Sequence, residues 1–291
     1  MHAAVQAVVG SRRAAPPARY HLVGVAGVGM NALAQVLARS GAAVSGSDRH
    51  RDAGRALDVL DKLRAAGIAL APQDGSAVHR ALTAVVASSA IEPDNPDLAA
   101  ARRLGVPVRH RAELLAGLAH AGCCVAVTGT AGKTTVTGLL GWTLARLGAD
   151  PTVVNGGAVV NWKTARRIGN VRWGRSGLWV VEADESDRSL LRFRPDWAVI
   201  TNVSQDHFAL AEVRRLFRRF AGQVRRGVVG PAPYGEPGPD LEGEPELRPA
   251  GIRFRARGVA FRLALAGRHN VDNALQCLGL CERLGYAPGA V

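Results

Sequence analysis

"VAVTGTAGKTTVTGLL", residues 125–140, decides the fold. A run of small and β-branched apolar residues ends at Gly129, a short Thr/Ala/Gly loop follows, and a helical pattern starts near Lys133. The apolar run reads as a buried strand. A strand that turns into a helix through glycines brings backbone N–H groups toward one point, and the helix adds the partial positive charge of its N-terminus. This corner therefore reads as a phosphate-gripping loop formed by Gly129, Thr130, Gly132 and Thr135. Lys133 is placed to reach the phosphates, and the Thr134 hydroxyl is placed to ligate Mg²⁺. The strict G-x-x-x-x-G-K-[ST] spacing fails, because its first glycine would fall on Val127. Lys133 is nevertheless one of only three lysines among 37 basic residues, with Lys62 and Lys163. A flexible point charge suits a phosphate there better than a planar guanidinium.

Around this corner, strand-like and helix-like segments alternate. Upstream, "RYHLVGVAG", "AAVSGSD", "AVVASSA" and "VPVRH" read as strands. Between and after them, "VGMNALAQVLARSG", "LDVLDKLRAAG", "NPDLAAARRLG" and "RAELLAGLAHAG" read as helices. Downstream, "CCVAVTG", "PTVVNG", "LWVVEAD" and "WAVITNVS" read as strands, and "AEVRRLFRRFAGQVRR" and "NVDNALQCLGLCERLG" as helices. "GIRFRARGVAFRLAL" reads as a hairpin after a Pro/Gly-rich loop. The alternation predicts an α/β protein with two mainly parallel sheets. The expected domains are 19–120 and 121–291, preceded by a disordered leader over 1–18.

The formal charge of +13 is almost all arginine, in a chain rich in Ala and Gly, and aromatic residues are only 5%. That reads as compositional bias rather than a nucleic-acid surface, since stacking platforms are scarce. No apolar run is long enough for a membrane span, and the N-terminus lacks the order of a signal peptide. A cytoplasmic protein without nucleic-acid or membrane partners is expected. Cys123, Cys124, Cys277 and Cys281 lack metal-knuckle spacing and read as reduced packing thiols.

Three more motifs sit where strands end or helices start. "VVEADESD" puts Glu182, Asp184, Glu185 and Asp187 at a strand's C-terminal edge, where parallel sheets bind ligands and metals. "TNVSQDH" presents Asn202, Asp206 and His207 at the same edge, and His207 reads as a metal ligand. "GRHNVDNAL" places His269, Asn270 and Asn273 at a helix start, where simple capping is the other reading.

In this order and spacing, "TGTAGKTT", "EADESD", "TNVSQDH" and "GRHNVDNA" resemble the ATPase domain of the Mur ligases. "HLVGVAGVGMNALAQVLARSGAAVSGSD", "SSAIEPDNP", "RHRAELLA", "DPTVVNGG" and "DESDRSLLRFRP" are similar to the member that joins L-alanine to UDP-N-acetylmuramate. The resemblance implies a Rossmann-like UDP-binding domain followed by a P-loop central ATPase domain. It also implies ATP-dependent ligation in cell-wall precursor synthesis, through an acyl phosphate on the lactyl carboxylate. ATP and Mg²⁺ would be the cofactors, with Lys133, Glu182 and His207 as catalytic residues. Thr134, Glu182 and His207 would hold metal, and Asn202, His269, Asn270 and Asn273 would join the loop in binding ATP. Gly27, Gly29, Asp48, Ser88, Ser89 and Arg111 would bind the UDP-sugar.

The sequence departs from the family where Ala131 replaces a histidine and Ala26 a glycine. A third, C-terminal domain that binds the amino acid is expected to be absent, because it should begin near Val291. Three alternatives stay open. One is a ligase that reattaches recovered peptide to UDP-N-acetylmuramate. Another is a non-catalytic ATP and UDP-sugar module, and the third is a P-loop ATPase acting on nucleic acid.

Overall fold

The structure is a computed structural model that describes residues 17–55, 57–204 and 209–291. Its first half is β1 (Arg19–Val23), α1 (Val28–Arg39), β2 (Ala43–Ser47), α2 (Arg49–Asp52), α3 (Asp58–Ala65), β3 (Ala69–Ala71), β4 (Ala84–Ala87), α4 (Pro96–Leu104), β5 (Val108–His110) and α5 (Arg111–Ala119). These strands form one parallel sheet in the order β3-β2-β1-β4-β5. The strand order reverses beside β1, so the loop after β1 opens at the crevice where such sheets take ligands.

The second half begins with β6 (Cys123–Thr128), α6 (Lys133–Arg146), β7 (Thr152–Val154), β8 (Val171–Arg172), β9 (Leu178–Glu182), β10 (Trp197–Ile200), α7 (Leu210–Ala221) and β11 (Gly227–Val229). The sheet order is β11-β10-β6-β9-β7-β8, parallel except for β8. The strand before the glycine loop, β6, is central, and its Val125, Ala126 and Val127 are fully buried. The chain ends with an antiparallel set, β12 (Glu246–Arg248), β13 (Gly251–Ala256) and β14 (Val259–Leu263), and with α8 (His269–Arg283), which buries Val271, Leu275 and Leu278 against Ile252 and Phe254.

The α/β architecture with mainly parallel sheets is as expected. The pattern missed α2 and the short strands β3, β8, β11 and β12. These run only two to four residues, too few for a hydrophobic period to register. α7 stops at Ala221 rather than running on through the arginines, because Gly222 ends it and its buried stripe of Val213, Leu216, Phe217 and Phe220 is complete by then. Residues 1–16 of the expected leader lie outside the described residues. The Ala18 carbonyl already accepts the Ala43 N–H beside β1. All four cysteines are free, and burial pushes the Cys124 and Cys281 thiols up to about 12.

The two sheets share a core. Leu22, Val36 and α5 residues Leu115 and Ala119 belong to the same apolar cluster as Ala126, Val181, Leu190, Phe193 and Phe217. A polar pin accompanies it. Fully buried Asn170, just before β8, donates to Asn31 Oδ1 (2.8 Å) and accepts from Gln35 Nε2 (3.1 Å), both on α1.

Inside the first half, Asp97 is fully buried in the first turn of α4. It accepts from Ser47 Oγ (2.5 Å) and Gly75 N (2.9 Å) and lies 3.3 Å from His21 Nε2, whose Nδ1 faces Ser45 Oγ at 2.9 Å. Burial pushes its carboxyl up, but the hydrogen bonds from His21, Ser47 and Gly75 hold it below the usual value. A depressed folded pKa gives stability that is present above about pH 4 and lost as pH falls through the folded value. Asp97→Asn should therefore cost about 3 kcal/mol or more in urea unfolding at pH 7. The gap should narrow at pH 3, and a gap that stayed constant would show that Asp97 carries no charge in the fold.

Candidate functional site

Two glycines give the β6–α6 loop its shape. Gly129 has φ +139°, and a Cβ there would lie 2.0 Å from Thr201 Oγ1. Gly132 has φ +81°, and a Cβ there would meet Asn273 Oδ1 at 2.8 Å. Only glycine fits either place. The end of β10 then holds the loop from one side. Asn202 Oδ1 accepts from Thr130 Oγ1 (2.6 Å) and from the Ala131 N–H (2.9 Å), while Thr201 Oγ1 donates to the Ala131 carbonyl (2.5 Å). α8 braces the other side. Asn270 Nδ2 donates to the Ala266 carbonyl (2.7 Å) and Asn273 Nδ2 to Asn270 Oδ1 (2.9 Å), which sets Asn273 against Gly132. Neither asparagine caps α8, whose N-cap is Arg268 without a side-chain bond. The capping reading is thereby replaced by loop bracing, and His269 lies exposed beside Gly267.

α6 starts at Gly132 with no side-chain cap and no acidic residue in its first turn, so its N–H groups face an unneutralised end. Thr134 Oγ1 donates to Glu182 Oε1 (3.1 Å), and Glu182 Oε2 accepts from the Gly156 N–H (2.7 Å). Burial pushes the Glu182 carboxyl up, against the Gly156 N–H, the Thr134 hydroxyl and the Lys133 charge. A hydroxyl and a carboxylate side by side at the β6–α6 loop are hard oxygen donors of the kind Mg²⁺ takes. Among the described residues no group of three His, Cys, Asp or Glu side chains can enclose a metal alone. The donor set therefore fits a cation that arrives with phosphate ligands and water. His207 and Asp206 lie outside the described residues.

The segment after β9 joins this corner to the first half. Lys133 Nζ lies 2.9 Å from Glu185 Oε1, 2.8 Å from Oε2 and 2.9 Å from the Gly129 carbonyl it donates to. Two residues further on, Asp187 accepts from Ser89 Oγ (2.8 Å) and the Ser189 N–H (2.9 Å). Arg111 Nη2 lies 3.4 Å from Asp184 and 3.7 Å from Asp187.

Arg111 also lies against Gly29, where a Cβ would meet Nη1 at 2.7 Å. It lines a cavity of about 320 Å³ together with Gly27, Gly29, Asp48 and Ser88. Asp48 spends its carboxylate on the Ala26 and His50 N–H groups (2.9 Å each), so it shapes the loop around the cavity. Ser89 is not in the lining; it bridges His110 (3.2 Å) and Asp187. A second cavity, about 680 Å³, opens beside Asn202 and is lined by Arg214, Arg218, Tyr234 and Gln276 among others.

The sequence reading missed Thr201, Gly156 and Asn170, and it saw Glu185 only as one acid of a cluster. No local signal marks the first three, because their partners lie far off in sequence, on α1, in the β6–α6 loop and on β9.

Residues 19–122 match the Mur ligase family, catalytic domain, and residues 127–212 the Mur ligase middle domain. The UDP-N-acetylmuramate–L-alanine ligase of Gloeobacter violaceus is 38% identical over 292 residues, an alignment covering 92% of this chain and 61% of that protein. The ligase of the same name from Rubrobacter xylanophilus is 38% identical over 302 residues, covering 93% and 64%. Among solved structures, the UDP-N-acetylmuramate-alanine ligase of Thermotoga maritima matches with a TM-score of 0.81 at 28% identity, covering 93% of this chain and 66% of that one. A Neisseria meningitides UDP-N-acetylmuramate:L-alanyl-γ-D-glutamyl-meso-diaminopimelate ligase matches with a TM-score of 0.80, covering 94% and 95%. At 22% identity that likeness is one of fold. The chain spans about three fifths of the length of the two curated relatives.

Asn202→Ala removes three side-chain bonds to the loop at once. Amide hydrogen exchange at Ala131, whose N–H loses its acceptor, should speed up by about tenfold or more, with α6 beyond Val136 unchanged. Unchanged exchange at Ala131 would show that the loop holds its shape without Asn202.

Proposed function

The chain belongs to the Mur ligase family, and on that premise we propose that it binds ATP with Mg²⁺ at the β6–α6 loop and a UDP-sugar in the cavity beside Arg111. The reaction proposed is ATP-dependent joining of L-alanine to the lactyl carboxylate of UDP-N-acetylmuramate. The observation that carries this is one continuous segment, Glu182–Asp187, in which Glu182 and Glu185 touch Thr134 and Lys133 while Asp184 and Asp187 touch Arg111 and Ser89. The two parts of such a reaction, a phosphoryl donor and a nucleotide-sugar acid, would thereby meet across one short stretch of chain. Sequence identity of 38% to two alanine ligases favours alanine over a peptide as the incoming amine.

In this reading the N–H groups at the start of α6, together with Gly129, Thr130, Gly132 and Thr135, form the cradle for ATP phosphates. Lys133 neutralises charge as it develops on the transferring group. Thr134 and Glu182 hold Mg²⁺, and His207 is assigned to a second cation by its motif alone. Bound ATP supplies the phosphoryl group that makes the carboxylate reactive toward an amine. Asn202, Asn270 and Asn273 keep the cradle in shape before ligand arrives, so less reorganisation is needed at the moment of transfer. His269 is assigned to the nucleoside end. In the first half, Arg111, Ser88 and the uncapped start of α1 at Gly27 and Gly29 would hold the diphosphate. Asp48 shapes that loop, and Ser89 ties it to Asp187. The proposed division is 19–120 for the UDP-sugar and 121–291 for ATP.

Titration calorimetry tests both halves. The chain should bind MgATP and UDP-N-acetylmuramate independently. Lys133→Ala should weaken MgATP by about a hundredfold or more and leave UDP-N-acetylmuramate affinity intact. Unchanged MgATP affinity in that variant would remove the loop from the reading.

A further inference from the structure

Lys133 is held by Glu185. Its ammonium donates to the Gly129 carbonyl and to Glu185 Oε1 (2.9 Å each), and Glu185 Oε2 lies 2.8 Å away without a hydrogen bond of its own. Neither side chain is free to dissolve the pair in water, because the Glu185 side chain is 5% exposed and that of Lys133 is 17% exposed. Near Glu185 in the chain stand Glu182, Asp184 and Asp187, the last two of which face Arg111.

These facts constrain any anion that comes to the loop. A phosphate oxygen that draws the Lys133 charge competes with Glu185 for it. A buried carboxylate that loses its cation is costly, far more so than an exposed one. An anion alone would leave that cost uncompensated and add its own repulsion from Glu182 and Glu185. A phosphate ligand that carries a divalent cation brings the replacement charge with it. Thr134 and Glu182 offer oxygen ligands for that cation, and among the described residues no side-chain cluster can enclose a metal without the ligand.

We propose that Glu185 is a positioning residue that makes nucleotide binding at this loop depend on a divalent cation: it occupies Lys133 until a metal–nucleotide complex takes its place. The inference rests on the reading of the loop as the ATP site. Glu185 acts through Lys133 rather than on the reacting atoms. Its carboxylate aims the ammonium in the empty site and disfavours metal-free nucleotide.

The test is calorimetric titration of the chain with ADP, once with Mg²⁺ and once with EDTA. Wild type should bind ADP about a hundredfold more tightly with Mg²⁺ than without. Glu185→Gln keeps the shape and removes the charge, so metal-free affinity should rise and the ratio should fall to about tenfold or less. Glu185→Asp keeps the charge and should restore most of the metal dependence, which a merely structural residue would not do. Thermal melting establishes that each variant is folded; if Glu185→Gln does not fold, Glu185→Asp and Lys133→Met carry the comparison. In Lys133→Met the carboxylate has no cation to hold, so metal-free ADP binding should be lost. Equal weakening of both titrations by Glu185→Gln, or an unchanged ratio, overturns the proposal while leaving the ATP site standing. Failure of wild type to bind ADP under either condition overturns the ATP-site reading and this inference with it.

Discussion

Everything at the candidate site hangs on how the β6–α6 turn fits against the end of β10. The turn needs Gly129 and Gly132 in backbone conformations open to glycine, and it passes so close to Thr201 and Asn273 that a methyl group would collide with either. Those same neighbours satisfy the turn. Thr201 and Asn202 take up the polar groups of Thr130 and Ala131 that a tight turn leaves without helix or sheet partners. The loop is thus stiff before any ligand comes. The N–H groups at the start of α6 are spared this bonding and remain available at an unneutralised helix end.

A second constraint is electrostatic. The chain carries +13 overall, yet the segment after β9 is acidic and lies between two basic groups, Lys133 on one side and Arg111 on the other. Each charge that is partly or wholly buried there has a partner of opposite sign or a donor hydrogen bond, as burial requires. The two candidate sites consequently share one acidic segment. Asp184 and Asp187, which face Arg111, stand one and two residues from the carboxylate that holds Lys133.

The junction between the sheets is built to resist slippage. A shared apolar cluster supplies adhesion, and the Asn170–Asn31–Gln35 contacts supply direction, since amide groups buried at an interface must meet with correct geometry. This fixes where α1 and its preceding glycine loop stand relative to the Glu182–Asp187 segment.

Much of this was legible along the chain. Local patterns suffice for the parallel sheets, because each β-α unit carries its own apolar strand and amphipathic helix. The loop at residues 129–135 was legible because glycine, lysine and threonine act there through neighbours in sequence. Elements of two to four residues, such as β3 and β8, were not, since no hydrophobic period fits inside them. Nor were the partners of the site residues. By itself the sequence determined which strands end in glycines, hydroxyls and acids, a matter of local spacing. Only the tertiary structure decided that Asn202 bonds the loop, that Asn273 packs on Gly132, that Ser89 leaves the cavity for Asp187, and that Glu185 rather than its neighbours closes on Lys133. Those pairings join residues 52 to 141 positions apart. They are chosen by strand order and register, which bring the ends of β6, β9 and β10 to one edge of the sheet, and no local pattern encodes which carboxylate arrives beside which cation.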